Sequence, residues 1–219
     1  PEHTQLAQYE PPVTTRIHAG DGSLLAEYAK ERRLFVPVNA IPKQLIDAFT
    51  SAEDKNFYSH AGLDWQALAR AAAVDAKILF ERYVKKKKGG NLIGASTITQ
   101  QVAKNLYLWP SRSFLRKGIE AYFAALLESM LSKRRILEIY LNIAEFGPGI
   151  YGVGAASRSY FGKPPSALDD TEAALLAAVL PSPTRLHVER PSSYLRERQS
   201  WIVGNMERLR REQRILSLE

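Results

Sequence analysis

The chain contains no cysteine, which excludes a disulfide framework and a thiolate metal site. It also lacks any run approaching the roughly 18 to 20 apolar residues that a membrane-spanning helix needs. Neither Ser-x-x-Lys nor Lys-Thr-Gly occurs, so a serine acyl-transfer site of that kind is excluded. Clusters of His, Asp and Glu with the spacing of a structural metal site are missing as well.

The residues that are present indicate a globular protein with an anionic partner. The 219 residues are 45% hydrophobic, enough for one domain or for a large lobe with a small one. Thirty Lys and Arg against 23 Asp and Glu give a formal net charge of +7. That excess suits nucleic acid, a membrane surface or a phosphate-bearing substrate, and the charge alone does not choose among them.

The pattern of apolar residues predicts a mainly helical chain. Residues 1–13 are polar and rich in proline, typical of a tail or linker. The turn Gly20-Asp21-Gly22-Ser23 between two short apolar segments predicts a β-hairpin, the only sheet that the pattern supports. Helical spacing predicts helices that begin near Pro42, after the cap Asp64, after Ser96 or Thr97, after Arg112 and after Asp169. It predicts two more, one that includes Ile136 to Leu141 and one over residues 193–212.

Two of these helices carry predictions about burial. In the long helix after Arg112, we expect the buried face to comprise Leu115, Ile119, Phe123, Leu126 and Met130. The helix after Asp169 is apolar on every side from Ala173 to Leu180, so we expect it to be central in the fold.

A chemically dense stretch runs from Ala52 to Asp64, between two predicted helices. It holds the carboxylates Glu53 and Asp54, an aromatic pair, His60 and Gly62. Loops between helices often carry chemistry, although capping of helix ends explains the same residue types. The stretch alone does not decide between the two.

Polar residues at helical spacing form two further groups. Ser96, Gln100 and Lys104 recur in steps of four, which predicts one polar face suited to a sugar phosphate or to solvent. Arg116 and Lys117 precede Glu120 by four and three residues, the spacing of an intrahelical ion pair worth about 0.2–0.5 kcal/mol.

Two other polar groups have simpler interpretations. Glu138 and Asn142, four residues apart, are suited to hydrogen-bonding the backbone of a loop. The run Lys85-Lys86-Lys87-Lys88 beside aromatic residues fits either a solvated loop or a membrane surface.

Four motifs occur in order along the chain. They are Glu53-Asp54-x-x-Phe57-x-x-His60-x-Gly62, Ser96-Thr97-Ile98-Thr99-Gln100-Gln101-x-x-Lys104-Asn105, Arg116-Lys117-x-x-Glu120 and Arg135-Ile136-Leu137-Glu138-x-Tyr140-Leu141-Asn142. This order resembles that of the peptidoglycan glycosyltransferases of glycosyltransferase family 51. The resemblance runs from about Thr15 to about Met206. Up to about Lys104 it is closer to the bifunctional class A penicillin-binding proteins, and from Trp109 to the monofunctional transglycosylases.

The resemblance implies a mainly α fold, with two helical lobes, the larger similar to lysozyme, and a small N-terminal β-hairpin. It implies one glycosyltransferase domain over residues 14–219, with a small mobile lobe at about 70–95 that faces the membrane. Residues 1–13 would then follow a membrane anchor that precedes this chain. The implied reaction polymerises lipid II into β-1,4-linked glycan strands, with inversion and with undecaprenyl pyrophosphate as leaving group.

The resemblance also implies two catalytic carboxylates. Glu53 is the expected base, because the acceptor 4-hydroxyl is too weak an acid to attack unaided. Glu120 is the second, and it can orient Lys117, stabilise charge at the anomeric carbon or assist a divalent ion. The implied substrate-binding residues are Asp54, Phe57, His60, Ser96, Thr97, Gln100, Gln101, Lys104, Asn105, Arg112, Arg116 and Lys117. His60 is expected to brace the Glu53 loop rather than transfer protons.

The expected partners are lipid II, the growing glycan chain and the membrane surface, with no nucleic acid. We expect a monomer that works beside other cell-wall synthesis proteins at the periplasmic face of a bacterial inner membrane. No cofactor is required, and Mg²⁺ or another divalent cation at the pyrophosphate stays open. The alternatives are a lysozyme-like glycan-cleaving enzyme and a non-catalytic basic helical module that binds membrane or nucleic acid.

Overall fold

A computed structural model of the chain describes residues 15–18, 20, 24–28, 32–83, 96–109 and 113–216. The lysine run at 85–88, most of the second half of the predicted small lobe, and Arg112 lie outside the described residues. The predictions for these segments therefore stay predictions.

Helices dominate the described residues, as the apolar spacing predicts. They are α1 (Lys43–Glu53), α2 (Trp65–Tyr83), α3 (Ile98–Tyr107), α4 (Phe114–Met130), α5 (Lys133–Ile143), α6 (Gly152–Phe161), α7 (Asp170–Val179) and α8 (Ser193–Leu216), with short 3₁₀ turns at Val38–Ala40 and Pro165–Ala167. Within the described ranges, no helix combines the length and apolar character that crossing a bilayer requires.

Two small sheets accompany the helices. The predicted hairpin is confirmed: β1 (Thr15–His18) pairs antiparallel with β2 (Leu24–Tyr28). A second sheet was not predicted, and its strand order is β3-β5-β4. It comprises β3 (Arg32–Arg33), β4 (Glu145–Gly147) and β5 (Ile150–Tyr151). Strands of two or three residues are too short to show the alternation that identifies a strand in a sequence.

The core is built around α7, which confirms the prediction that this helix is central. Every residue from Ala173 to Val179 is buried, and α7 packs against α1 and α8. Its alanines allow the neighbouring helices to approach closely. At the other side of α1, Phe49 contacts Tyr140 and Phe146 edge-to-face, with ring centroids 6.3 and 5.7 Å apart. Helix α1 is therefore held on both sides before it ends at the site described below.

The predicted buried face of α4 is wrong at both of its ends, whereas Ile119, Phe123 and Leu126 between them are partly buried. Leu115 is 73% exposed and Met130 is 44% exposed, whereas Glu120, Ala124 and Leu127 are the buried residues. Helix α4 packs against α3. The buried face thus includes a small residue, Ala124, and an inward carboxylate, Glu120, while the ends of the predicted apolar stripe face outward. The inward carboxylate could not be recognised from hydrophobic spacing alone.

The segment before α1 is tied to α5, as predicted for Glu138 and Asn142. The Asn142 side chain accepts from the Val36 N–H at 2.8 Å and donates to the Val36 carbonyl at 2.8 Å. Glu138 accepts from the Val38 N–H at 2.6 Å. Gly152 completes the contact with φ of +80°, since a Cβ there would lie 2.8 Å from the Asn142 carbonyl oxygen.

Candidate active site

Glu53 is the last residue of α1, and the packing of that helix carries its side chain into a cleft. Its two carboxylate oxygens accept hydrogen bonds from Gln101 Nε2 at 3.0 Å and from Arg198 Nη2 at 3.1 Å. The side chain is only 15% exposed. Burial raises the pKa of Glu53, while Gln101, Arg198 and Lys104 act in the opposite direction. The result is an oriented carboxylate that holds protons more tightly than an ordinary glutamate.

Asp54 ties the loop after α1 to the start of α3. Its carboxylate contacts His60 Nε2 at 2.9 Å and accepts from the Ile98 N–H at 3.0 Å. Burial raises the pKa of Asp54, and the hydrogen bonds from His60 and Ile98 oppose that shift. The structure thus places His60 as a brace for the Glu53 loop. Phe57 is fully buried beneath it, with Lys133 Nζ 4.5 Å from the ring centroid.

Two helix caps hold this loop, one at its end and one from the neighbouring helix α3. Asp64 caps α2, as predicted, by accepting from the Ala67 N–H at 2.8 Å. Thr97 and Gln100 form a capping box at the start of α3, and the Thr97 hydroxyl donates to the Gly62 carbonyl at 2.6 Å.

The predicted polar face of Ser96, Gln100 and Lys104 is therefore wrong as a continuous stripe. The buried Gln100 side chain turns back to accept from the Thr97 N–H at 3.0 Å. Ser96 precedes the helix instead of lying on it.

Three cations surround the second carboxylate, Glu120, which is buried. Lys117 Nζ donates to it in a short contact and also to the Ser96 hydroxyl at 2.7 Å. Arg116 Nη1 lies 3.6 Å from its other oxygen. Burial lowers the pKa of Lys104, which Glu120 and Glu53 oppose. Lys104 is thus electrostatically coupled to both carboxylates.

A cleft of about 500 Å³ opens beside Glu53. One wall is the face of α2 that carries Gln66, Arg70 and Val74, and the opposite wall includes Ser96 and Thr97. Because Ser96 accepts from Lys117, the group of cations around Glu120 adjoins one wall of the cleft. Polar side chains at both walls suit a carbohydrate ligand.

The structure brings together only part of the predicted site. Glu53 and Ser96 line the cleft. Contacts or electrostatic coupling connect these two to Gln101, Lys104, Arg116, Lys117 and Glu120. Asn105 is exposed and has no described side-chain bond. Asp54, Phe57, His60, Thr97 and Gln100 shape the loop and the helix start from inside. For these five, the observed contacts explain the residue types, and only Asp54 and Thr97 also line the cleft.

Sequence analysis missed Arg198, which contacts Glu53 from α8. A signal for it existed. Arg198 lies three residues after Leu195 and four before Ile202, both fully buried, so it occupies the apolar stripe of an amphipathic helix. A charged residue on a buried stripe needs a partner of opposite charge.

The side chains at the site give little support for a bound metal ion. Among the residues that the structure describes, no group of three or more His, Cys, Asp or Glu side chains could hold an ion. The side chains around Glu120 are cationic and fit an anion. A divalent cation at the site stays a prediction, with its ligands supplied mainly by phosphates of the substrate.

Comparison with known proteins gives consistent matches. A family model described as Transglycosylase matches residues 21–207. Penicillin-binding protein 1A of Rickettsia felis is 43% identical over 206 residues, which is 94% of this chain and 25% of that protein. This chain thus spans about a quarter of the length of these relatives.

Shorter relatives match as well. The biosynthetic peptidoglycan transglycosylase of Shewanella amazonensis is 48% identical over 81% of this chain and 68% of its own length. That of Rhodospirillum centenum is 47% identical, over 82% and 73% respectively. Among solved structures, penicillin-binding protein 1A from Haemophilus influenzae matches 90% of this chain and 18% of its own, with 22% identity and a TM-score of 0.47.

Proposed function

This chain belongs to the transglycosylase family, the peptidoglycan glycosyltransferases, and from this premise we propose that it polymerises lipid II into β-1,4-linked glycan strands. One observation carries the proposal: a buried, oriented carboxylate, Glu53, lines a cleft whose wall residue Ser96 accepts a hydrogen bond from Lys117. Lys117 belongs to a group of cations with Arg116 and Lys104, and Lys104 is coupled electrostatically to Glu53 and Glu120. Such a site combines a base with a receptor for a phosphate leaving group.

Glu53 acts on the acceptor. Attack by the sugar 4-hydroxyl requires a base that takes its proton as the new bond forms. Glu53 is held by hydrogen bonds to both oxygens, and each oxygen retains a lone pair for the acceptor hydroxyl. Its raised pKa makes it a stronger base than an exposed glutamate.

The cations act on the donor. The glycosidic bond to undecaprenyl pyrophosphate breaks with its electron pair going to a phosphate oxygen, and positive charge stabilises that oxygen. Lys104, Arg116 and Lys117 supply this charge, and Glu120 keeps the two α4 cations oriented. Attack on the face opposite the leaving group then gives inversion and a β linkage from an α-linked donor.

A glycan-cleaving reaction fits the site less well. It needs a carboxylic acid that protonates a sugar oxygen, in addition to a second carboxylate. In the lysozyme-like alternative Glu53 would be that acid, and Glu120 would be the second carboxylate. Glu120 is instead paired with Lys117 and Arg116, a group of cations that hydrolysis does not need. This pairing supports our proposal of glycosyl transfer from a pyrophosphate donor over hydrolysis.

Part of the surface near the site is apolar and faces outward. On α2, Trp65 is 68% exposed and Leu68 is also exposed, while Ala71 is the one buried residue among the described side chains. At the start of α4, Phe114 is 99% exposed beside Leu115. We propose that these residues contact the outer leaflet of the bacterial inner membrane, where a lipid-linked substrate resides.

Substrate choice tests the proposed function. The chain is incubated in detergent with labelled lipid II and, separately, with soluble glycan strands, and the products are separated by size. We expect long glycan from lipid II and no shortening of the soluble strands. Lys117→Ala should lose most of the polymerisation, whereas Lys163→Ala, which removes a partly exposed Lys163–Glu172 ion pair remote in sequence from the motifs, should not. Cleavage of soluble strands without polymerisation of lipid II would overturn the proposal.

A further inference from the structure

A buried tyrosine lies behind Glu53 that the chemistry of glycosyl transfer does not use. Tyr140 of α5 is 1% exposed, and its ring contacts Phe49 edge-to-face. Phe49 precedes Glu53 by one turn of α1, so the two side chains share a face of that helix. The tyrosine therefore packs beneath the turn that carries the carboxylate.

The Tyr140 hydroxyl lies among charges without bonding to any of them. Burial raises its pKa well above the ordinary value, the charges of Glu53 and Asp54 raise it further, and Arg198 lowers it. Within the part of the chain that the structure describes, the hydroxyl has no hydrogen-bond partner. The same holds for the buried Nε–H of Arg198, whose Nη2 contacts Glu53.

These two unpaired groups both need an acceptor. Buried polar groups are satisfied in nearly all proteins, and internal water with about two to four hydrogen bonds is the usual means. Arg198 Nε–H is a donor only, and a tyrosine hydroxyl next to carboxylates is best used as a donor. A water that accepts from both must donate its own hydrogens onward. The carboxylate of Glu53 is the acceptor that Arg198 already contacts.

We propose that Tyr140 is a positioning residue for Glu53, and that its hydroxyl and Arg198 Nε–H hold one internal water that donates to the Glu53 carboxylate. The inference rests on the proposed role of Glu53 as base. Other groups that face Glu53 are Gln101 and Lys104 of α3, and both favour its ionised form. The water adds a third stabilising contact from the interior, and it fixes the carboxylate while the acceptor hydroxyl approaches from the cleft.

The test is the pH profile of kcat/KM for lipid II polymerisation by Tyr140→Phe. Loss of the hydroxyl weakens a hydrogen bond to a charged group, so the acidic limb should move to higher pH by about one unit. Tyr160→Phe is the matched control, because the Tyr160 hydroxyl donates to the Phe146 carbonyl at 3.0 Å and not toward Glu53. The acidic limb of the Tyr160→Phe profile should coincide with that of the wild type.

The outcomes separate this inference from the proposed function. Glu53→Gln is measured in parallel, and full activity in that variant would overturn the base role itself. If Glu53→Gln is inactive but the acidic limb of the pH profile is the same for Tyr140→Phe and the wild type, the role of Glu53 as base is supported. The positioning role of Tyr140 is then overturned. An atomic-resolution crystal structure of the unaltered chain gives a readout without activity. A water molecule that contacts both Tyr140 OH and Arg198 Nε would support the inference. The absence of water between these two atoms would contradict it.

Discussion

Glu53 combines two opposing influences on one carboxylate. Burial favours its neutral form, whereas hydrogen bonds from Gln101 and Arg198 favour the ionised form that a base requires. The raised pKa of Glu53 means that protonation begins at a higher pH than for an exposed glutamate. Because the protonated form cannot accept a proton, activity should fall as pH decreases through that raised value.

Removal of the Gln101 amide should change the pH at which activity falls. Gln101→Ala deletes a hydrogen bond that lowers the pKa of Glu53, so the pKa rises and the acidic limb of kcat/KM moves to higher pH. Gln199→Ala provides the control, because the Gln199 side chain donates to the Thr171 carbonyl at 2.8 Å on the surface. Equal profiles for both variants would show that Gln101 does not tune the base.

Arg198 orients the same carboxylate from α8. Arg198→Ala should lower kcat by about 10²-fold, since a misplacement of a catalytic group by about 1 Å has an effect of that size. Arg198→Lys should recover part of the loss by restoring charge. The neighbouring Arg196 is exposed, and Arg196→Ala should keep wild-type rates. Steady-state kinetics on lipid II measures all three, and a kcat unchanged in Arg198→Ala would refute the orienting role.

At the scale of elements, helix α5 anchors the segment that precedes α1. Asn142→Ala leaves the buried N–H and carbonyl of Val36 without partners. Each unpaired buried polar group costs about 1–3 kcal/mol of stability. We expect the free energy of unfolding in urea to fall by about 2–4 kcal/mol. Asn39→Ala removes an exposed hydrogen bond to Arg134 and should change it by less than about 0.5 kcal/mol. Similar losses in the two variants would contradict the anchoring role.

Elements were more predictable than their contacts. Caps such as Asp64 and Thr97 depend on neighbouring residues only, so local sequence suffices to identify them. The face that α4 buries depends on how closely α3 approaches, and Leu115 was misplaced because hydrophobicity alone carries no such information. The same limit applies to Arg198, which meets Glu53 across 145 residues of sequence. The family motifs identified Glu53 and Glu120, although nothing local distinguishes Glu120 from an ordinary ion-pair partner.

Exposed apolar side chains, Trp65 and Leu68, lie on α2 next to residues that line the cleft, and we propose that they belong to a lipid-binding face of the whole molecule. If that face contacts lipid, the double substitution Trp65→Ser and Leu68→Ser should reduce co-sedimentation with vesicles of phosphatidylglycerol and phosphatidylethanolamine. Trp201→Ser is the matched control, because Trp201 is 54% exposed on α8 and outside the proposed face. Loss of binding in the control alone, or in neither variant, would contradict the assignment of the face.

The central claim is that Glu53 is the base of a lipid II polymerase. The most direct measurement is the initial rate of polymerisation of labelled lipid II by the wild-type chain and by Glu53→Gln, with binding of the phosphoglycolipid moenomycin as a check on the cleft. We expect Glu53→Gln to lower the rate by about 10²–10⁴-fold and to retain moenomycin binding. A Glu53→Gln chain that polymerises within a few-fold of the wild-type rate would contradict it.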